Sequence, residues 1–270
     1  MTLPDPGSND DLSNLAWQVE SGANEAILDN PVNRFLIKEK EKSEPRQGLP
    51  EKPQKPAPDL PLAPSMTLAP GEAAISAENL AKSAKTLGEL KAAIEGFEGC
   101  SLKKTAMNTV FARGEVASGL MLIGEAPGAE EDRQGKPFVG ASGHLLDTMM
   151  AAIGRKKDKD FYISNILPWR PPGNRKPTPV EQTLCLPFIK RHIELVSPRV
   201  IILLGGTALS ALLDISEGIT RVRGKWFSYP VGKAKIPAMA MFHPAYLLRQ
   251  PQLKRQAWHD LLEIKTKLDG

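Results

Sequence analysis

Only two cysteines, Cys100 and Cys185, occur in the 270 residues. That rules out a disulfide framework and leaves too few thiols for a four-cysteine metal or cluster site. It suits a reducing compartment, and a cytoplasmic, nucleoid-associated location is expected. No segment approaches the roughly 18 apolar residues of a membrane helix. The opening residues, M-T-L-P-D-P-G-S-N-D-D-L, carry neither a positive flank nor an apolar run, so no signal peptide is expected. Charge of either sign is not in large excess. The formal net charge of +4 leans mildly toward a polyanionic partner and fits an unspecialised basic surface equally well.

Apolar residues make up 41% of the chain and are unevenly placed. Residues 1–37 read as a tail with one short amphipathic helix, Asp10–Ile27, with Leu12, Leu15, Ala16, Val19 and Ala23 at helical spacing and Asp10 or Asp11 as its cap. Such a helix suits docking on the core or on a repair or replication partner. Residues 38–83 are rich in Pro, Lys and Glu, as in K-E-K-E-K-S-E-P-R-Q-G-L-P-E-K-P. Too little apolar surface is available there to offset chain entropy, and a disordered linker is expected. Residues 84–270 read as the folded domain, expected to be a monomer.

Within that domain strand and helix patterns alternate. Leu120–Ile123, Phe161–Ile166, Val200–Leu204, Trp226–Tyr229 and Ile236–Phe242 read as strands; Leu145–Ile153, Val180–Val196, Thr207–Leu213 and Leu253–Leu268 read as helices. The alternation predicts an α/β fold, a three-layer α/β/α sandwich with a central, mainly parallel, four-stranded sheet. The wholly apolar V-I-I-L-L at 200–204 is what a parallel strand buried on both faces requires. Ligands of such sheets bind beyond the strand carboxyl ends. Three polar loops leave those ends, at 124–143, 165–177 and 243–249.

The first loop is G-E-A-P-G-A-E-E-D-R-Q-G-K-P-F-V-G-A-S-G. Gly124, Pro127 and Gly128 shape a tight backbone path whose amides suit a phosphate or a base edge. No Lys-Ser or Lys-Thr follows its last glycine, so it is not a Walker loop, and its glycine spacing is not that of a dinucleotide fingerprint. Glu125, Glu130, Glu131 and Asp132 fit either a solvated acidic surface or a metal site, with His144 the only histidine nearby.

Taken together, the three loops resemble the family 4 uracil-DNA glycosylases. The first resembles that family's first motif. S-N-I-L-P-W-R-P-P-G-N-R-K-P-T-P resembles its N-I-V-K-C-R-P-P-G-N-R segment, and H-P-A-Y-L-L-R its second motif. The resemblance covers roughly Thr86 to Lys267, in the family's order. It implies a DNA repair enzyme that flips uracil out of DNA and hydrolyses its N-glycosidic bond, leaving an abasic site for base excision repair. The alternative is a non-catalytic binder of uracil-containing or abasic DNA.

The resemblance also implies roles. Phe138 is expected to stack on the flipped base, with Gly124, Ala126 and Gly128 leaving room for the ring. Asn165 is expected to read uracil, because one amide supplies both an acceptor and a donor. His243 is expected at the O2 position, where a donor stabilises developing negative charge. Glu125 is the first choice for orienting water and Glu131 the second. Arg170, Arg175, Lys176 and Arg249 are expected at DNA phosphates. Leu247 is expected to be the wedge that fills the hole left by the base. Members of the family hold a [4Fe–4S] cluster on four cysteines. Here Phe97 and Trp169 occupy two of those positions, with Cys100 and Cys185 at the others. No cluster and no other cofactor or metal is therefore expected, and the two aromatics are expected to fill the space as apolar core.

Overall fold

The computed structural model describes residues 70–270 apart from Lys233. The Asp10–Ile27 helix and most of the 38–83 linker lie outside the described residues. The last fourteen residues assigned to the linker are helical. Helix α1 (Pro70–Ser83) buries Ala73, Ala77 and Ala81 against the core. These small residues recur every four positions, a stripe that lets one helix pack close to another. Composition marks the prolines before Pro70 and overlooks that stripe, so the folded unit reaches further toward the N-terminus than residue 84.

Two short helices follow, α2 (Leu87–Gly96) and α3 (Leu102–Thr105). Then come β1 (Ala112–Gly114), β2 (Leu120–Gly124), α4 (Ala129–Gln134), α5 (Ala141–Ala152) and β3 (Tyr162–Asn165). The chain continues through α6 (Pro179–Val196), β4 (Val200–Leu204), α7 (Gly206–Leu213) and α8 (Ile219–Val222). It ends in the β5 (Trp226–Val231) and β6 (Ala234–Met241) hairpin, α9 (Pro244–Arg249) and α10 (Lys254–Asp269). Helix α6 begins at a capping box in which Thr178 and Glu181 each satisfy the other's backbone amide.

The sheet has six strands in the order β1-β3-β2-β4-β6-β5, not four. The inner four are parallel, as expected, and an antiparallel strand closes each edge. Strand β1 is a three-residue A-R-G segment, too short to show alternation in sequence. Every residue of β2 and β4 is buried, and successive residues serve opposite layers. Met121, Ile123, Ile201 and Leu203 pack with α1, α2, α6 and α7. Leu120, Leu122, Val200, Ile202 and Leu204 pack with α5 and α10. That division is the three-layer α/β/α sandwich.

Candidate active site

Strand register places the site. Gly124 pairs with Asn165 across β2 and β3, Ile123 with Leu203 across β2 and β4, and Leu204 with Met241 across β4 and β6. Polar residues at or just past the strand ends therefore form a row along one sheet edge: Asn165, Glu125, the Gly205–Thr207 turn and His243. Four loops meet there, not three. The turn after β4 is the one that sequence reasoning misses. Its signal is nonetheless present, because a wholly apolar parallel strand must also present its carboxyl end to the crevice.

A cavity of about 480 Å³ opens at this edge, lined by Glu125, Gly128, Phe138, Asn165, Lys176 and His243 among others. Gly124 lies between two of the lining residues. A Cβ there would lie 2.5 Å from Asn165 Oδ1 and 2.6 Å from Phe138 Cζ, so no side chain larger than hydrogen fits between them. Phe138 has φ 54°, left-handed backbone that is costly for a bulky residue. Arg113, a residue not singled out by its sequence, holds it there. Its guanidinium donates to the carbonyls of Pro137 at 2.9 Å and Phe138 at 3.2 Å, and pairs with Asp147 and Asp158. Asn165 is buried, and among the described residues its Oδ1 has no hydrogen-bond partner. A buried acceptor left open costs roughly 1–3 kcal/mol and invites a ligand N–H.

The two carboxylates proposed for water differ in their surroundings. Glu131 is buried, and both its oxygens are occupied. Oε1 accepts from Val139 N at 2.9 Å and Gly140 N at 2.8 Å, and Oε2 from Gly128 N at 3.2 Å. It is a clamp that folds the loop around Phe138. Glu125 is half-buried and accepts one side-chain bond, from Thr207 Oγ1 at 2.5 Å. Of the other acids in this loop, Asp132 is buried and accepts from the amides of Met107 and Asn108, and Glu130 is exposed.

His243 caps α9, its Nδ1 accepting from Ala245 N at 3.1 Å. A neutral ring so held carries its proton on Nε2. Burial, and then the Arg249 charge, lower its pKa to about 4, with Glu131 opposing. At neutral pH His243 is thus a neutral hydrogen-bond donor. His192, behind the sheet edge, is lowered to about 3 by burial; it stacks on Phe111 and hydrogen bonds the Tyr162 hydroxyl.

An acid-lability prediction follows from these two rings. Both folded values lie below the ordinary 6.5, so below that pH the unfolded chain takes up protons that the folded chain refuses. The stability involved is complete above 6.5 and is lost as pH falls toward 4, at up to about 1.4 kcal/mol per pH unit for each histidine. Urea unfolding between pH 6.5 and 5 should show this slope, roughly halved in His192→Gln. A flat profile would contradict it.

Among the basic residues, Lys176 and Arg249 are exposed, line the cavity and form no ion pair among the described residues. Arg175 differs. It forms a two-pronged pair with Glu181, at 2.6 and 2.9 Å, which holds that carboxyl at about 2. Arg175 also lines the cavity, and its pair with Glu181 shapes the second loop. Arg170 is tied to Asn174 at 2.8 Å and does not line the cavity. Leu247 is a correction: it is completely buried in the core, whereas Leu248 is 43% exposed. The helical turn of α9 turns one leucine inward and its neighbour outward, which the pair L-L does not disclose.

The four residues that the resemblance sets at cluster positions are buried in the core. Phe97 packs edge-on against Phe188, and Trp169 is 1% exposed, its Nε1 donating to Thr109 Oγ1 at 3.0 Å. Cys100 and Cys185 are buried, and the neighbouring Cys100 thiol and burial push the Cys185 thiol well above its ordinary pKa. Two thiols, one of them held protonated, and two large aromatics do not fit an iron–sulfur cluster, which needs four thiolates.

A mainly parallel sheet that gathers four polar loops around one cavity defines an α/β domain with a switch-point ligand pocket. The chain belongs to the uracil DNA glycosylase superfamily, whose profile matches residues 111–262. It is 39% identical over 169 residues to the type-4 uracil-DNA glycosylase of Archaeoglobus fulgidus, covering 61% of this chain and 84% of that protein. It is 41% identical over 170 residues to that of Thermotoga maritima, covering 62% and 86%. Against that of Pyrobaculum aerophilum it is 36% identical over 179 residues, covering 65% and 91%. No helix among the described residues is long and apolar enough to cross a membrane.

Proposed function

We propose that the chain is a monofunctional uracil-DNA glycosylase of base excision repair, working as a cytoplasmic, nucleoid-associated monomer without a metal or cluster. The observation that carries this reading is the meeting of an open acceptor on Asn165, the Phe138 ring and the neutral His243 donor in one cavity.

Phe138 offers its face to the flipped base, and Asn165 pairs with the N3–H and O4 edge, which cytosine mismatches. As the bond from C1′ to N1 breaks, its electron pair passes to the base, and charge gathers at O2. His243 Nε2–H donates there. Being neutral, it stabilises the anion without having to give up a proton. Glu125 orients a water toward C1′ and takes its proton as the new C–O bond forms. Glu131 maintains the loop. Lys176 and Arg249 sit where a DNA backbone would cross the mouth of the cavity. Leu248, in place of Leu247, is the apolar side chain available to enter the base stack.

The test is an oligonucleotide with one uracil, incubated with the protein and then treated with alkali. Strand breaks that need alkali and Glu125 are expected. Breaks without alkali would overturn the monofunctional assignment, and a shifted but unbroken band would overturn the enzyme. Iron analysis of anaerobically purified protein should find no stoichiometric iron.

A further inference from the structure

We infer that Thr207 is a positioning residue for the water-directing carboxylate, an inference that rests on the role given to Glu125 above. Thr207 Oγ1 donates to Glu125 Oε2 at 2.5 Å, between residues 82 apart in the chain. It is the one side-chain hydrogen bond that Glu125 makes among the described residues, and Oε1 is left for a water.

The fold makes this contact through the parallel pairing of β2 with β4, which sets the turns after the two strands side by side. Thr207 is the second residue of α7, behind the Gly205 cap. No earlier helical turn exists there to offer its hydroxyl an i−4 helical carbonyl, the usual partner of a helical threonine. The hydroxyl is free to donate outward. Gly205 adopts φ 97°, its amide donates to Met241 O at 2.8 Å, and a Cβ on it would lie 3.3 Å from His243 Cβ. The turn that holds Glu125 is therefore also packed against His243. The water side and the leaving-group side of the cavity share one rigid frame.

A glutamate unrestrained at this edge would sample several rotamers and would lose that side-chain entropy on directing a water. Fixing one oxygen fixes the carboxylate plane and aims the other. A β-branched donor suits the task because its χ1 is itself restricted.

Single-turnover and steady-state rates on uracil DNA test the inference, with thermal melts to verify folding. Thr207→Val should lower kcat by about 10- to 100-fold, the scale on which misplacement by about 1 Å acts, with KM within about twofold. Thr207→Ser should recover most of the rate, and Thr207→Ala should behave like Thr207→Val. In a Glu125→Gln background, Thr207→Val should cost nothing further, because the group it positions is already gone. Equal rates for Thr207→Val and the parent protein would overturn the inference. So would an undiminished loss in the Glu125→Gln background, which would mark Thr207 as purely structural. A parent protein inactive on every uracil substrate would instead overturn the function on which the inference rests.

Discussion

Glu125→Gln should lower kcat for uracil release by about 10²- to 10⁴-fold, the range for losing a positioned general base. The substitution keeps the side chain's size and its ability to accept from Thr207 Oγ1. It removes the charge and the proton acceptor needed as water adds to C1′. KM should change little, since Glu125 is not assigned to reading the base. Glu131→Gln should act differently. Its carboxylate accepts three backbone amides, from Gly128, Val139 and Gly140, through two oxygens. An amide has one acceptor oxygen and turns an NH₂ toward at least one of those N–H groups, so about 1–3 kcal/mol of stability should be lost. Any loss of rate in that variant would follow from displacement of Phe138, and a rise in KM would accompany it. Denaturation and steady-state kinetics on both variants separate the two carboxylates. A larger fall in kcat for Glu131→Gln than for Glu125→Gln would reverse the assignment.

Much of this site is legible in the amino-acid sequence. The wholly apolar V-I-I-L-L and the alternation of strand and helix imply parallel pairing, and parallel pairing places the loop residues Glu125, Asn165 and His243 at one edge. Those inferences depend on strand direction and on side-chain chemistry, both of which are written locally. Other features depend on partners distant in sequence. Nothing near Glu131 shows that three amides would close around its carboxylate. Nothing near Arg175 shows that its guanidinium would pair with Glu181, six residues on. Leu247 and Leu248 are chemically identical, and only the docking of α9 on the core decides which is exposed. Arg113 shows the same limit, since its bonds to the Phe138 loop cross 24 and 25 residues. The sheet edges escape for another reason. A three-residue strand such as Ala112–Gly114 contains too few positions for a period to appear.

Trp169→Ala should destabilise the protein by about 3–5 kcal/mol, the cost of removing a large aromatic from a packed core. The site has little means of collapsing. Trp169 is 1% exposed and bonded to Thr109, and it occupies the same cluster as Phe97, Cys100 and Cys185. The resemblance assigns that space to a cluster whose four ligands would tie separate segments together. Here Phe97 packs on Phe188 of α6, and Cys100, Trp169 and Cys185 are buried in the same apolar cluster. A comparison of cysteine variants tests that substitution of one kind of cross-link for another. Trp169→Cys alone should be nearly as unstable as Trp169→Ala, because three thiols leave a cavity and one ligand too few. Phe97→Cys combined with Trp169→Cys restores the family's ligand set. After anaerobic reconstitution with iron and sulfide, that double variant should bind iron and regain part of the lost stability, measured by denaturant unfolding with and without metal. The parent protein under the same treatment should take up no stoichiometric iron. Four iron atoms bound per parent chain would overturn the assignment of Phe97 and Trp169 as replacements for the cluster, whatever the variants do.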